Sequence, residues 1–359
     1  MKPYESVKDI EAHAVTALTD LLREVPVLAL GSVSIEDGGR DSGASIKAHL
    51  TIADRPHVLV CEVKSSGQPR HVRTAILQLR NTAAHQSRPA TPILIAPYLS
   101  PEAQALCQES NVGYLDFEGN ARIVFGSVFI ERRVPGKPPV ERRDLKSLFK
   151  PKSAAILRAL LRDPGRAWRV VELAEHSMVS LGHVSNVRTA LRDREWARVT
   201  PDGFSLTDPN SLLDAWRDAY EPRDSKRLRF YTTLHGSAFD KAAAHALGVD
   251  PKAGQAVLAS FSAAQWFAPY GRITTHYFQA DTAGLRRLQN ALGLSSPEKG
   301  ENVVVTLPKD LGIFRDTDEP APGMVCTSPV QTYLDLSAAG ERGREAAEHL
   351  RGDKLRWPK

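Results

Sequence analysis

One stretch of the sequence, residues 152–206, restricts the fold more than any other part of the chain. Three segments in it have the apolar periodicity of helices: 154–161, 170–174 and the run that starts after Ser180. Two strand-like runs follow, joined by the turn sequence Pro201-Asp202-Gly203: 197–200 and 204–206. Three helices followed by a two-stranded wing are typical of a winged helix-turn-helix, a fold that places its third helix in a DNA major groove.

The composition is that of a globular protein. The chain has 359 residues, enough for two or three domains, with 42% apolar and 25% charged residues. Its cysteines are odd in number, far apart and without zinc-ligand spacing, which favours a reduced environment: Cys61, Cys107 and Cys326. The first residues form no apolar signal core, and no run approaches the roughly 20 apolar residues of a membrane span. These observations predict a cytoplasmic protein.

Positive charge is concentrated in one segment. Between Glu131 and Arg166, eleven Lys and Arg residues stand against four acidic residues, whereas the whole chain has a net charge of only +5. This segment leads into the first predicted helix of the 152–206 stretch, where contacts to DNA phosphates would be useful. We therefore expect Lys150 and Lys152 to contact DNA. The alternative is that the segment is a solvated linker.

The predicted elements divide the chain into three domains and a linker rich in Pro, Gly and charge: residues 1–133, 134–150 (the linker), 151–208 and 209–359. The first domain alternates helices with strands, so we expect an α/β domain with a mixed sheet and flanking helices. The second is the winged helix-turn-helix, and the third is predicted to be an α+β domain.

The individual elements follow from periodicity and turn signals. In the first domain, helices are predicted at 9–23, 69–84 and 101–109, and strands at 27–33, 45–52, 57–63, 92–96, 113–116 and 128–130. In the last domain, helices are predicted at 211–220, 261–267, 283–291, 329–336 and 342–350, and strands at 273–278 and 302–307.

The strand predicted at 57–63 ends in Glu62 and Val63, and Lys64 follows directly. Glu62 and Lys64 are two residues apart, so on a strand both side chains point to the same face. A carboxylate that holds Mg²⁺ beside a lysine that orients water suits a hydrolase. The domain here resembles the PD-(D/E)xK nuclease superfamily, which implies a restriction-endonuclease-like fold and a role for Gln78 on the following helix.

This resemblance lacks one metal ligand. The superfamily pattern has a metal-binding Asp on the preceding strand, but residues 45–52 contain no Asp or Glu. Asp54 falls in the turn after that strand, and Asp37 and Asp41 fall in the loop before it. One carboxylate binds Mg²⁺ poorly, and Lys47 would repel the ion. We therefore expect a degenerate scaffold without catalytic activity and without a metal or other cofactor; Mg²⁺ is expected only if the domain is a nuclease.

Three further motifs resemble one regulator family. They are Ser100-Pro101-Glu102-Ala103, the run Gly113-Tyr114-Leu115-Asp116 with Gly119-Asn120-Ala121, and the late run Ser328-Pro329-Val330-Gln331-Thr332-Tyr333-Leu334-Asp335-Leu336, followed by Arg342-Gly343-Arg344-Glu345-Ala346-Ala347. Together with the winged helix, they resemble AbiEi-type antitoxins of type IV toxin–antitoxin systems. The resemblance implies DNA binding, repression of the protein's own operon and a nucleotidyltransferase-type toxin encoded nearby.

The third helix of the 152–206 stretch carries the expected DNA contacts. At 100° per residue, Val184, Val187 and Leu191 share one face and must pack in the core. Small polar residues and arginines occupy the opposite face and its flanks: Ser180, His183, Ser185, Asn186, Arg188, Thr189 and Arg192. At the base of the wing, Arg194 and Arg198 are expected to contact phosphates.

Particular roles follow from base chemistry. Asn186 suits adenine, while Arg188 or Arg192 could reach guanine or a phosphate. Ser180 is predicted to cap the helix and so aim its free N–H groups at a phosphate. The acidic wing tip at Asp202 argues against insertion into the minor groove.

Three functions remain open from the sequence. The first is a DNA-binding transcriptional regulator, antitoxin-like and autorepressing, whose partner is double-stranded DNA. The second is a Mg²⁺-dependent nuclease positioned on DNA by its winged helix. The third is a protein–protein adaptor, whose binding would lack the salt dependence of phosphate contacts.

Overall fold

The computed structural model describes residues 7–36, 45–221, 225–250, 252–296 and 300–357. These residues form two compact units. The first unit consists of Met1–Arg143 with Leu191–Glu195, and the second of Asp144–Ala190 with Trp196–Lys359. Within the described ranges, no helix has the length and apolar content needed to cross a bilayer.

A seven-stranded mixed sheet forms the centre of the first unit. In chain order its elements are α1 (Val7–Arg23), β1 (Leu28–Glu36), β2 (Ser45–Ile52), β3 (Arg55–Val63), α2 (Pro69–Ala84), β4 (Ala90–Ala96), α3 (Pro101–Glu109), β5 (Gly113–Asp116), β6 (Ala121–Phe125) and β7 (Val128–Arg132). The strands lie in sequence order; β3, β4 and β5 run parallel, and the other neighbours are antiparallel. The predicted mixed α/β architecture is confirmed, with β6 as an additional strand.

The central strand β3 is buried on both faces because helices cover both sides of the sheet. Val58 and Val60 pack with α2 and α3, whereas Leu59 and Cys61 pack with α1 on the opposite side. Glu62 continues the first of these alternating sets, which places its side chain on the face that α2 covers.

The turn between β5 and β6 is organised by Asp116, as expected for an Asp–Gly–Asn turn. One carboxylate oxygen accepts the N–H groups of Glu118 and Asn120, and the other accepts the Asn120 amide and the Leu99 N–H. Gly119 adopts φ +101°, a region that favours glycine. This carboxylate therefore fixes a turn and has a structural role.

The segment predicted as a linker contains a helix, α4 (Pro139–Leu148). Most of the residues predicted as a basic linker, 134–150, are therefore helical. Pro139 begins the helix, a position where proline is favoured because it needs no hydrogen-bonded N–H. Leu145 and Leu148 are spaced for one helix face, and both are buried.

The second unit begins with the helices and hairpin that the sequence predicted. They are α5 (Pro151–Arg162), α6 (Val170–Ser177), α7 (Leu181–Asp193), β8 (Ala197–Thr200) and β9 (Gly203–Leu206). The last residues of α7, from Leu191 onward, belong to the first unit. Strands β8 and β9 pair antiparallel. Trp168 exchanges two backbone hydrogen bonds with Phe204, both 2.9 Å, and so attaches the hairpin to the segment before α6.

A second mixed sheet with surrounding helices forms the rest of this unit. Its elements are α8 (Pro209–Ala219), β10 (Lys226–Phe230), α9 (Gly236–Ala246), β11 (Gly248–Asp250), β12 (Gly254–Leu258), α10 (Ser260–Phe267), β13 (His276–Ala280), α11 (Thr282–Leu292), β14 (Val303–Leu307), a 3₁₀ helix (Leu311–Arg315), β15 (Thr317–Asp318), β16 (Cys326–Thr327), α12 (Pro329–Ser337) and α13 (Glu341–Lys354). The strand order is β10-β14-β13-β12-β16-β15, and β11 pairs with β12. Every helix predicted here is present, while α9, β10, β11, β12, β15 and β16 were not predicted.

Helix α5 joins the three-helix region to this second sheet. Arg158 donates to Gln331 of α12 at 3.2 Å. Arg162 bonds to Asp316 at 2.6 Å and to Asp318 at 2.7 Å. Because α5 contributes to both parts, the predicted winged helix and the C-terminal elements fold as one unit.

Candidate nucleic-acid interface

One face of α7 is buried as predicted. Val184 and Leu191 are completely buried, and Val187 is nearly so. This burial fixes the rotation of the helix about its axis, so the residues between these positions must point away from the core.

A three-residue turn, 178–180, separates α6 from α7. Met178 adopts the left-handed conformation with φ +52°, and its N–H bonds to the carbonyls of Ala174 and Glu175. The Ser180 hydroxyl accepts the N–H of His183 at 3.3 Å, so the predicted cap is confirmed. Short turns of this kind join the two helices of helix-turn-helix motifs.

The face of α7 opposite the core is polar and accessible. Asn186 and Thr189 are exposed, and Ser185 and Arg188 are half-buried. Within the described residues, none of these four side chains makes a hydrogen bond or an ion pair. Amide, hydroxyl and guanidinium groups without internal partners are available to an external one.

His183 is placed differently from the expectation. Its Nε2 lies 3.0 Å from the hydroxyl of Ser153, which is buried on α5. This contact ties the start of α7 to α5. The side chain would have to leave Ser153 before it could reach a base.

Arg192 and Arg194 already have carboxylate partners. Arg192 bonds to the adjacent Asp193 at 3.2 Å. Arg194 pairs with Glu141 at 2.9 Å, and the two side chains are only 10% and 11% exposed. Gln68 donates to the same carboxylate at 3.2 Å. A phosphate contact by Arg194 would break this enclosed pair, which removes Arg194 from the candidate interface.

The basic segment is less free than its composition predicts. Arg158 is buried, and Arg162 is engaged by Asp316 and Asp318. Arg166 forms an ion pair with Glu172. Exposed cations remain at three of the expected phosphate-contact positions: Lys150, Lys152 and Arg198.

Apolar side chains also reach the surface at the turn before α7. Met178 is 69% exposed and Leu181 is 51% exposed. The sequence predicted a purely polar exposed face, and these two residues were not singled out. Exposed apolar groups beside a polar helix face can contact the methyl group of thymine.

In the first unit, the three residues of the nuclease-like motif do meet. Lys64 Nζ lies 2.5 Å from Glu62 Oε1 and 3.5 Å from Gln78 Oε1. Asp54 lies in the turn after β2, as predicted, and Asp37 and Asp41 lie outside the described residues.

Among the described residues, few ligands for Mg²⁺ meet at this motif. Across the described ranges, no group of three or more His, Cys, Asp or Glu side chains could hold a metal ion. The one carboxylate at this position, Glu62, is already neutralised by Lys64.

Sequence reasoning missed a polar cluster in the second unit. The Asp335 carboxylate accepts hydrogen bonds from Tyr220 at 2.6 Å, Gln279 at 2.9 Å and Gln331 at 3.0 Å. Gln331 also accepts from Arg158. The signal in the sequence was the spacing of Gln331 and Asp335, which places both on one face of a helix. Their partners lie far away in the chain.

Burial raises the pKa of Asp335 to about 6, although its hydrogen bonds from Tyr220 and Gln331 act in the opposite direction. Burial also raises the pKa of Tyr220 well above its ordinary value, and the Asp335 charge adds to that shift.

The C-terminal part of the chain is similar to a known protein family. Residues 205–355 match the model of a family described as transcriptional regulator, AbiEi antitoxin, type IV TA system. The predicted resemblance to AbiEi antitoxins is confirmed. The match begins within β9 and ends just after α13, so it covers less than half of the chain and leaves out α5, α6 and α7.

Two other comparisons add little. No curated protein matches this chain. A solved structure titled "Structure of EndoMS in apo form" matches at 14% sequence identity and a TM-score of 0.23, covering 33% of this chain and 48% of that one. A TM-score this low supports no statement about fold or activity.

Proposed function

We propose that this protein is a DNA-binding transcriptional regulator that represses its own type IV toxin–antitoxin operon through a winged helix. The observation that carries the proposal is the exposed polar face of α7, where Asn186, Arg188 and Thr189 have no internal partners within the described residues. The match of residues 205–355 to an antitoxin regulator family supports the regulatory role.

The proposed interface combines base and phosphate contacts. Asn186 and Arg188 would read base edges in the major groove, and Lys150, Lys152 and Arg198 would contact the phosphates beside it. Base contacts supply the sequence preference, whereas phosphate contacts supply most of the non-specific affinity. Substitution of a base-contacting residue should therefore lower the sequence preference, whereas substitution of a phosphate-contacting residue should lower the affinity for every duplex.

Footprinting of the promoter upstream of the chain's own gene tests this function. We expect the full chain to protect one region, and the double variant Asn186→Ala, Arg188→Ala to lose that protection. The matched control is Arg286→Ala, which removes an exposed arginine from α11 and should leave the footprint unchanged. Full protection by the double variant would exclude α7 as the reading helix.

The family description also implies a toxin. We propose a nucleotidyltransferase-type toxin, encoded nearby, as the counterpart. Co-expression tests this pairing: the full chain should restore growth to cells that express the toxin, and cells without the toxin should grow equally with or without the chain. Continued growth arrest in the presence of the folded chain would contradict it.

The meeting of Glu62, Lys64 and Gln78 keeps a nuclease as the second candidate function. Incubation of the full chain with plasmid and Mg²⁺ separates the two candidates. Cleavage that disappears in the variants Glu62→Ala and Lys64→Ala would favour the nuclease. Intact plasmid under conditions where the footprint is saturated would favour the regulator.

A further inference from the structure

A cavity of about 320 Å³ lies within the second unit. Helices α5, α8 and α12 form its walls together with strand β13 and the 3₁₀ helix. This volume falls within the roughly 300–1,000 Å³ of small-molecule sites. Neither the nuclease-like motif nor the polar face of α7 accounts for it.

Two buried polar groups line the cavity without complete partners. Arg158 is only 2% exposed; its Nη1 bonds to Gln331, but Nε and Nη2 have no hydrogen-bond acceptor within the described residues. Asp310 lies 3.5 Å from Nη2, close enough for attraction but without hydrogen-bond geometry. Gln279 Oε1 likewise has no donor among the described residues. Buried groups of this kind are costly unless a ligand or water completes them.

The charged residues around the cavity are mostly cationic. Four cations line it: Lys146, Lys150, Arg158 and Lys309. Two acids line it as well, Glu221 and Asp310, and Lys146 lies 3.3 Å from Glu221. The formal charges of these six lining residues sum to +2, the sign that attracts a phosphate monoester, which carries about −1.5 to −2 at neutral pH.

Aromatic rings form another part of the wall. Phe149 and Trp216 stack with a centroid distance of 5.7 Å and an interplanar angle of 3°. Phe149 is half-buried, and the ring of Tyr220 also lines the cavity. Flat apolar rings favour a flat ligand, and the Gln279 oxygen can accept a hydrogen bond from an N–H or O–H group of that ligand.

We propose that this cavity binds a small phosphorylated ligand with a planar, N–H-bearing ring, such as a nucleoside monophosphate. The phosphate is held by Lys150 and Lys309 in the field of Arg158, and the ring lies along the aromatic wall with a hydrogen bond to Gln279. Lys150 is shared with the proposed DNA phosphate contacts; the other DNA contacts and the toxin pairing are not needed for this binding.

Calorimetric titration of the full chain tests the site. The probes are the four ribonucleoside 5′-monophosphates, with inorganic phosphate and adenosine as separate arms. We expect saturable one-to-one binding of at least one monophosphate with a dissociation constant below about 1 mM. Phosphate and adenosine should each bind at least about tenfold more weakly, because each supplies only half of the contacts.

Substitutions at and away from the cavity test whether the monophosphate binds there. Lys309→Glu reverses an exposed charge at the rim and should weaken binding at least about tenfold. Lys241→Glu makes the same change on the exposed surface of α9, outside the cavity, and should alter binding less than about twofold. Arg158→Gln should also weaken binding. If this substitution of a buried residue prevents folding, the result with Lys309→Glu alone tests the site.

Three results would overturn the proposal. The first is no heat of binding from any of the four monophosphates at millimolar concentration. The second is phosphate binding as tightly as the best monophosphate, which would identify an adventitious ion only. The third is equal binding by Lys309→Glu and the wild type.

Discussion

The carboxylate of Asp335 connects three elements of the second unit. Its hydrogen bonds reach Tyr220 after α8, Gln279 on β13 and Gln331 within α12. Its environment also raises its pKa from an ordinary value of 3.8 to about 6. Between pH 3.8 and about pH 6, Asp335 is therefore protonated in the folded chain and ionised in the unfolded chain. Because folding takes up a proton in this range, the free energy of unfolding falls as the pH rises.

Asp335→Asn should remove that dependence. Because the pKa of Asp335 is raised in the folded state, the protonated side chain stabilises the fold fully below about pH 4. This stabilisation is lost as the pH rises through about 6. The difference in unfolding free energy between wild type and variant should therefore change by up to about 3 kcal/mol between these pH values, in favour of the wild type at low pH. Urea titrations across the range measure it, and parallel curves would refute the shift.

Asp116 should matter for stability at every pH near neutrality. Its buried carboxylate accepts hydrogen bonds from Leu99, Glu118 and Asn120, and Asp116→Ala leaves those donors without a partner. We expect a loss of about 3 kcal/mol in the free energy of unfolding. The control Asp202→Ala removes an exposed acid at the tip of the hairpin and should change stability by less than about 0.5 kcal/mol. Similar losses in both variants would contradict the structural role of the Asp116 turn.

At the scale of elements, the sequence predicted helix starts well where local chemistry sets them. Six of the described helices begin with proline, and Ser100 and Ser328 accept N–H groups as caps. Strand β10, Lys-Arg-Leu-Arg-Phe, was missed because three of its five residues are charged, as is common for a strand at the edge of a sheet. Strand β6 was missed because it directly follows the Gly119–Asn120 turn.

Only the part of the candidate interface that depends on local sequence was predicted. The buried face of α7 and the cap at Ser180 depend on local periodicity, which the sequence shows. The pairing of Arg194 with Glu141 and of Arg158 with Gln331 joins residues far apart in the chain. Such partners are set by tertiary packing, which neither local periodicity nor composition shows.

The hairpin depends on a glycine. Gly203 has φ +146°, and a Cβ at this position would lie 2.4 Å from the Trp168 carbonyl oxygen. Gly203→Ala should therefore separate the hairpin from Trp168 and lower the free energy of unfolding by about 1–3 kcal/mol. Gly182→Ala is the matched control, since a Cβ there meets nothing within 4 Å and alanine favours the helix. Urea unfolding compares them; an unaffected Gly203→Ala variant would disprove the close approach.

At the scale of the whole molecule, exposed cations accompany the polar face of α7 in the second unit. Lys152 is exposed at the start of α5, and Arg198 is exposed on β8. Lys152→Ala should weaken binding to all duplexes and lower the slope of log affinity against log salt by about 0.9, because one phosphate contact is lost. An unchanged slope would remove Lys152 from the interface.

The most direct test of the central claim is a fluorescence anisotropy titration of the full chain against the footprinted duplex and a scrambled duplex, at several salt concentrations. For Asn186→Ala, we predict a loss of about 1–3 kcal/mol in binding the footprinted duplex, an unchanged salt slope, and unchanged affinity for the scrambled duplex. Equal affinity of variant and wild type for the footprinted duplex, or binding that does not respond to salt, would contradict docking of α7 on DNA.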